Sequence, residues 1–195
     1  MINTQALRAV VFCLSLAACA TAQAPTPQDA FYSRLRDLCG RAYEGRIVSS
    51  DAVDEQFRSE RLVMHVRDCT ASEVRIPFNI GDNRSRTWVI TRTGQGLRLK
   101  HVHRHEDGAE DALSQYGGDT ISTGSAERQE FPADAFSRDL FLRGNLPASV
   151  DNVWAVEVQP GRAFVYELTR PSRHFRVEFD LSRPVAAPPP SWGAD

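Results

Sequence analysis

Three histidines occupy every second position in the segment LRLKHVHRHEDG, residues 97–108, and two acids follow them. Imidazole nitrogens bind divalent transition metals such as zinc, copper and nickel, and a carboxylate can complete such a site. His101, His103, His105 and Glu106 are therefore the candidate metal ligands of this chain. The same histidines could instead be neutral, hydrogen-bonded side chains that line a polar pocket, and the sequence leaves both interpretations open.

The alternation around these histidines predicts a β-strand over residues 96–105. Successive side chains of a strand point to opposite faces, so the two leucines of this segment share a face with the three histidines. Because the leucines mark that face as core, we expect His101 and His103 to face a cavity or the mouth of a barrel. Residues two apart on a strand lie roughly 6.5–7 Å apart, which would let adjacent imidazoles reach one metal.

Other segments repeat this period of two and are separated by short turns such as TGQG and QPGR. Short turns favour antiparallel pairing, because parallel strands need long crossovers. Strands are predicted over residues 61–69, 75–80, 86–93, 152–159, 163–169 and 175–181. Two helices complete the pattern. One begins with Thr26 as N-cap and Pro27 as first residue and reaches Gly45, and a shorter one spans residues 135–143 between Asp134 and Gly144.

The expected fold class is therefore mainly β: a small antiparallel barrel or sandwich of about eight strands, with an N-terminal helix and one short inserted helix. The expected organisation is a signal peptide at 1–18, a tether at 19–27, one domain at 28–183 and a proline-rich extended tail at 184–195. The outline resembles lipocalin-type barrels in size and order, which implies the architecture alone.

The first 18 residues carry one charge and an apolar run that is too short for a permanent transmembrane helix, as in a secretory signal. Its end, LAAC at residues 16–19, resembles the bacterial lipobox. That resemblance implies a lipid on Cys19, and Ala20 after it implies an outer-membrane protein that faces the periplasm. The alternatives are a chance cysteine, a cut after Ala22, or a cut after Ala24 that the following Pro25 disfavours.

Because Cys13 lies in the predicted signal peptide and Cys19 is the predicted lipid site, Cys39 and Cys69 remain as a pair. In an oxidising compartment a pair of this kind is expected to form a disulfide.

The chain has a small negative net charge of −2. The chain therefore lacks the excess of basic residues that is typical of nucleic-acid-binding proteins. The expected partners are the membrane, through the lipid, and a small molecule or an envelope protein.

The histidine segment also resembles, over about a dozen residues, the cupin motif, in which H-x-H on a strand precedes a glutamate. His101, His103 and Glu106 match it, although the glutamate comes at least one residue early. Three functions therefore stay open: a binding module for a small ligand or divalent metal, a cupin-like metal-dependent enzyme, and a structural envelope protein without a ligand site.

Overall fold

The computed structural model describes residues 24–194, so the predicted signal peptide and Cys19 lie outside the described residues. The helices are α1 Pro27–Arg36, α2 Glu55–Arg58 and α3 Ala135–Arg143, with 3₁₀ turns at Ala52–Asp54 and Pro147–Asp151. The strands are β1 Ala42–Ile47, β2 Leu62–His65, β3 Asp68–Cys69, β4 Glu73–Ile80, β5 Asn83–Thr93, β6 Gly96–His103, β7 Tyr116–Asp119, β8 Arg128–Pro132, β9 Val153–Gln159, β10 Ala163–Arg170 and β11 Arg173–Val185.

All eleven strands of the described chain belong to one antiparallel sheet, which curls into a nearly closed barrel. Its order is β7-β6-β5-β4-β2-β1-β11-β10-β9-β8, and β3 pairs with β4. The mainly β prediction is confirmed, whereas the count of about eight strands was wrong. The prediction missed β1, β7 and β8, because short strands that carry glycine or few apolar residues have weak local signals. It also joined β2 and β3 into one strand over residues 61–69.

The barrel comes close to closing where β7 approaches β8. A Cβ atom on Gly118 would lie 1.8 Å from the carbonyl oxygen of Pro132, so only glycine fits there. On the neighbouring residue, the carbonyl oxygen of Gly117 accepts a hydrogen bond from the backbone N–H of Asp134 at 2.9 Å. The Ser137 hydroxyl also bonds to Gly117, with its oxygen 2.7 Å from the Gly117 nitrogen. The two glycines of β7 therefore allow the edges of the sheet to meet.

Helix α1 begins as predicted, with a reciprocal capping box between Thr26 and Asp29. It ends at Arg36, so the predicted extension to Gly45 was wrong. The chain turns at Gly40, whose positive φ of 79° suits glycine and whose N–H bonds to the Val66 carbonyl. The residues that follow pair on both sides in the sheet, and these tertiary hydrogen bonds override the local helical pattern.

Two other predictions from the sequence agree with the structure. Helix α3 has the predicted bounds, with the Asp134 side chain accepting from the Ser137 N–H at the start and Gly144 at the end. Cys39 and Cys69 form a disulfide that ties the chain after α1 to β3. A cross-link over 30 residues stabilises the fold by about 3–4 kcal/mol on the chain-entropy estimate.

Helix α1 closes one end of the barrel, and its Phe31, Tyr32 and Leu35 are at most 2% exposed. The part of the predicted tail after β11 packs against the outside of the barrel, where the backbone N–H of Trp192 bonds to the Arg84 carbonyl. Within residues 24–194, no helix has the length and apolar composition needed to span a lipid bilayer.

Candidate functional site

A cavity of about 160 Å³ lies at the end of the barrel opposite α1. It is formed by the ends of strands and by the segment 48–61, which connects β1 to β2 and contains α2. Most of the wall is apolar or aromatic, with a few polar and charged groups. The lining residues are Ile47, Asp54, Phe57, Leu62, Phe78, Ile80, Arg86, Trp88, His101, His103, Tyr116, Tyr166, Leu168, Arg173 and Phe175.

Strand β6 brings His101 and His103 to this cavity, which confirms their predicted inward direction. His101 is 2% exposed and follows the buried Leu97 and Leu99 on the same face. The strand ends at His103 instead of reaching residue 105 as predicted. After Arg104, which forms an isolated bridge with Glu110, the chain turns back, and the backbone N–H of Gly108 bonds to the His105 carbonyl.

Both ring nitrogens of His101 are engaged by hydrogen bonds. Nδ1 lies 3.1 Å from the backbone oxygen of Tyr116, and a carbonyl can only accept, so Nδ1 carries the proton. The other nitrogen, Nε2, is therefore an acceptor, and the Tyr166 hydroxyl donates to it at 2.7 Å. Burial lowers the pKa of His101 to about 3, so the ring is neutral at pH 7.

His103 lies nearer the mouth of the cavity and is half-buried. Its Nε2 is 3.1 Å from the hydroxyl of Tyr116, whose pKa burial raises to about 12. Burial, and then the positive charge of Arg86, lower the pKa of His103 to about 4, while Asp111 opposes this shift. The two histidines are thus neutral, hydrogen-bonded parts of the cavity wall at pH 7.

Aromatic stacking organises the wall behind these polar groups. The Trp88 ring lies between Phe78 and Tyr166, with ring centroids 4.8 Å and 4.3 Å away and nearly parallel planes. The His101 ring stacks on Tyr116 at 4.5 Å. Because both faces of Trp88 are already covered, this wall is preorganised and a ligand need not order it.

Three charged side chains line the cavity, and two of them pair with each other. Arg173 donates to both carboxylate oxygens of Asp54, at 2.8 Å and 2.6 Å, and Asp54 is 1% exposed. Asp51 also accepts from Arg173 at 2.8 Å. These contacts tie the segment 48–61 to the start of β11 and hold it over the cavity.

The third charge, Arg86, lies directly opposite His103 in the pairing of β5 with β6. Its Nη1 donates to the side-chain oxygens of Asn83 and Ser85, both at 3.2 Å. Within residues 24–194, no carboxylate lies within 4.0 Å of the Arg86 guanidinium. Arg86 is therefore the cavity cation that the carboxylates of the described residues leave unpaired.

The structure separates the four residues proposed as metal ligands. The exposed His105 lies beyond β6, with its Nε2 3.4 Å from an oxygen of Asp111, and the exposed Glu106 lines a different cavity beside Arg84. In the described part of the chain, no group of three or more His, Cys, Asp or Glu side chains is arranged to hold a metal ion. A metal at His101 would first have to displace the Tyr166 hydroxyl, and the metal hypothesis stays a prediction.

Sequence reasoning missed the groups that complete the cavity. Arg86 and Trp88 lie on the same face of a predicted strand, so the alternation of side chains along that strand could have predicted that both point inward. The pairing of Arg173 with Asp54 had no local signal, because 119 positions separate the two residues.

Comparisons with protein-family models, curated proteins and solved structures find no match for this chain.

Proposed function

We propose that this protein is a cell-envelope lipoprotein, anchored through Cys19 to the outer membrane, whose barrel binds a small molecule on the periplasmic side. The observation that carries the binding function is the cavity opposite α1, with its apolar wall and its converging polar groups. Concave, mainly apolar sites with a few placed polar groups are the usual form of small-molecule sites.

The size of the cavity limits the ligand. A protein cavity of about 150 Å³ lined by apolar side chains holds a benzene molecule. The cavity here, at about 160 Å³, accommodates a group of that size and is well below the pockets of drug-sized ligands. The proposal is therefore for a single ring or a short branched chain, with any polar group at the mouth.

The binding hypothesis accounts for more of the geometry than the structural hypothesis does. A barrel that served only as a scaffold would gain stability by filling this end with side chains, as it does at the end that α1 occupies. The polar groups at the cavity are also held in defined positions by hydrogen bonds. The alternative, that the cavity binds no ligand, is one of the outcomes that the experiment below distinguishes.

The binding proposal is tested with toluene and benzamide, two neutral probes that match the cavity in size. We expect the imidazole signals of His101 and His103 and the indole signal of Trp88 to shift in NMR titrations of the purified protein. The Leu168→Trp variant should fill the cavity and abolish these shifts. The matched control, Ile121→Trp, alters a side chain that is 83% exposed and should bind as wild type does. Absence of specific shifts with both probes would contradict the proposal.

The anchoring proposal is tested by labelling cells with palmitate and extracting the protein with detergent. Wild type should incorporate the label, whereas Cys19→Ser should not. Cys13→Ser is the matched control, because this cysteine lies in the predicted signal peptide, and it should be labelled. A mature chain that begins at Gln23 or later and carries no label would overturn the anchoring proposal.

A further inference from the structure

The unpaired guanidinium of Arg86 bears on the chemistry of the ligand. A half-buried cation beside an apolar wall loses part of its hydration, and this cost is recovered when an anion binds to it. Only Nη1 of Arg86 donates hydrogen bonds to described residues, to Asn83 and Ser85. The remaining N–H groups can bind both oxygens of a carboxylate.

Among the other described groups of the cavity, none offers an unpaired positive charge. Arg173 is already paired with Asp54 and Asp51. His101 is neutral and both of its nitrogens have partners, so it has no free donor for a ligand. The nearby carboxylate of Asp111 accepts from the Leu113 N–H and lies beside His105 instead of pairing with Arg86.

We infer that the ligand of this cavity is a small organic carboxylate, whose anionic group binds to Arg86 at the mouth and whose apolar body fills the space behind it. This inference rests on the proposed binding function and specifies its ligand class. One unpaired guanidinium matches the single negative charge of a carboxylate. A phosphate monoester carries a second charge at neutral pH, for which the described lining of the cavity provides no unpaired cation.

The inference is tested by measuring the affinities of benzoate, benzamide and phenyl phosphate for the purified protein by calorimetry. Benzoate and benzamide have the same ring and nearly the same shape, so their difference isolates the charge. We expect benzoate to bind about tenfold more tightly than benzamide, since hydrogen bonds between charged groups are the stronger ones. Benzoate should also bind more tightly than phenyl phosphate.

The variant Arg86→Gln removes the charge and keeps an amide of similar reach. Its affinity for benzoate should fall about tenfold to the level of benzamide, whose own affinity should not change. Arg84→Gln is the matched control, because Arg84 also lacks a carboxylate partner in the described chain and bonds to the Pro190 carbonyl outside this cavity. This control should bind benzoate as wild type does.

The outcomes separate the inference from the proposed function. Equal affinities for benzoate and benzamide would overturn the carboxylate inference and leave the binding function standing. Tighter binding of phenyl phosphate would also overturn it, whereas failure of all probes, including toluene, would remove both proposals. If Arg86→Gln does not fold, the wild-type protein decides the question: benzoate affinity should weaken at high ionic strength and benzamide affinity should not.

Discussion

The two ends of the barrel are closed in different ways. At one end, α1 inserts Phe31 and Leu35, both 0% exposed, into the core, and the disulfide between Cys39 and Cys69 holds the chain that follows. At the other end, the segment 48–61 covers the barrel with one short helix. That segment is tied down by charged groups and leaves a cavity of about 160 Å³ beneath it.

Under the proposed function, this difference assigns stability to one end of the barrel and binding to the other. Apolar packing by α1 excludes water and contributes stability in proportion to the surface it buries. A short segment held by charges buries little apolar surface, and regions of that kind open at low free-energy cost. Under the proposed function, the cavity lies at the end of the barrel where a ligand would enter without unfolding the core.

The largest effect is expected from shortening a side chain at the helical end. Phe31→Ala should lower the free energy of unfolding by about 3–5 kcal/mol, because it leaves a void in a fully packed region. Phe57→Ala makes the same change at the cavity end, where the ring is only half-buried, and should cost about 1 kcal/mol. Urea unfolding measures both values, and equal costs would contradict the proposed difference between the ends.

The ion pair over the cavity should govern local opening. Arg173→Gln leaves the buried Asp54 carboxylate without its cation, which should cost about 1–3 kcal/mol. We expect faster amide hydrogen exchange confined to residues 48–61. The double variant with Asp54→Asn is the control, because it removes the buried charge as well and should recover part of the loss. Uniformly faster exchange across the barrel would show that the pair does not act locally.

The two histidines of the cavity make the stability of the barrel depend on pH. Their pKa values, about 3 for His101 and about 4 for His103, lie below the ordinary value of 6.5, so the unfolded chain binds protons that the folded chain does not. Stability should therefore be highest above pH 6.5 and fall as the pH is lowered toward about 4. The slope is at most about 1.4 kcal/mol per pH unit for each histidine.

Denaturant unfolding at several pH values tests this dependence. His103→Gln should give a shallower slope than wild type. The control His105→Gln alters an imidazole that is largely exposed, with 59% of its side-chain surface accessible, and should keep the wild-type slope. An unchanged slope in His103→Gln would show that this ring is not the source of the acid sensitivity.

The smallest effect concerns the metal hypothesis. Tyr166→Phe removes the hydroxyl that donates to Nε2 of His101 and leaves that nitrogen free to coordinate. We expect zinc affinity to rise by up to about tenfold relative to wild type, the free energy of one neutral hydrogen bond. The same variant with His101→Ala added is the control and should lose the gain. Equal zinc binding in all three proteins would remove His101 as a ligand.

The local pattern determined much of the fold and part of the site. The alternation in β6 was sufficient to place His101 and His103 inside the barrel, since successive side chains of a strand must point to opposite faces. Capping residues defined the start of α1 and both ends of α3, because a cap acts through hydrogen bonds within a few residues. The disulfide between Cys39 and Cys69 was predictable because these two cysteines remained after the signal peptide and the lipid site were assigned.

Contacts between distant parts of the chain decided the rest. Strand β1 replaced the predicted end of the helix because its hydrogen bonds to β2 and β11 are tertiary. The hydrogen bond to Nε2 of His101 comes from Tyr166, 65 positions away, and the cover over the cavity depends on Asp54 and Arg173. A sequence pattern indicates which face of a strand a side chain lies on. The charge, hydrogen bonds and solvent exposure of that side chain depend on the partners that folding brings to it.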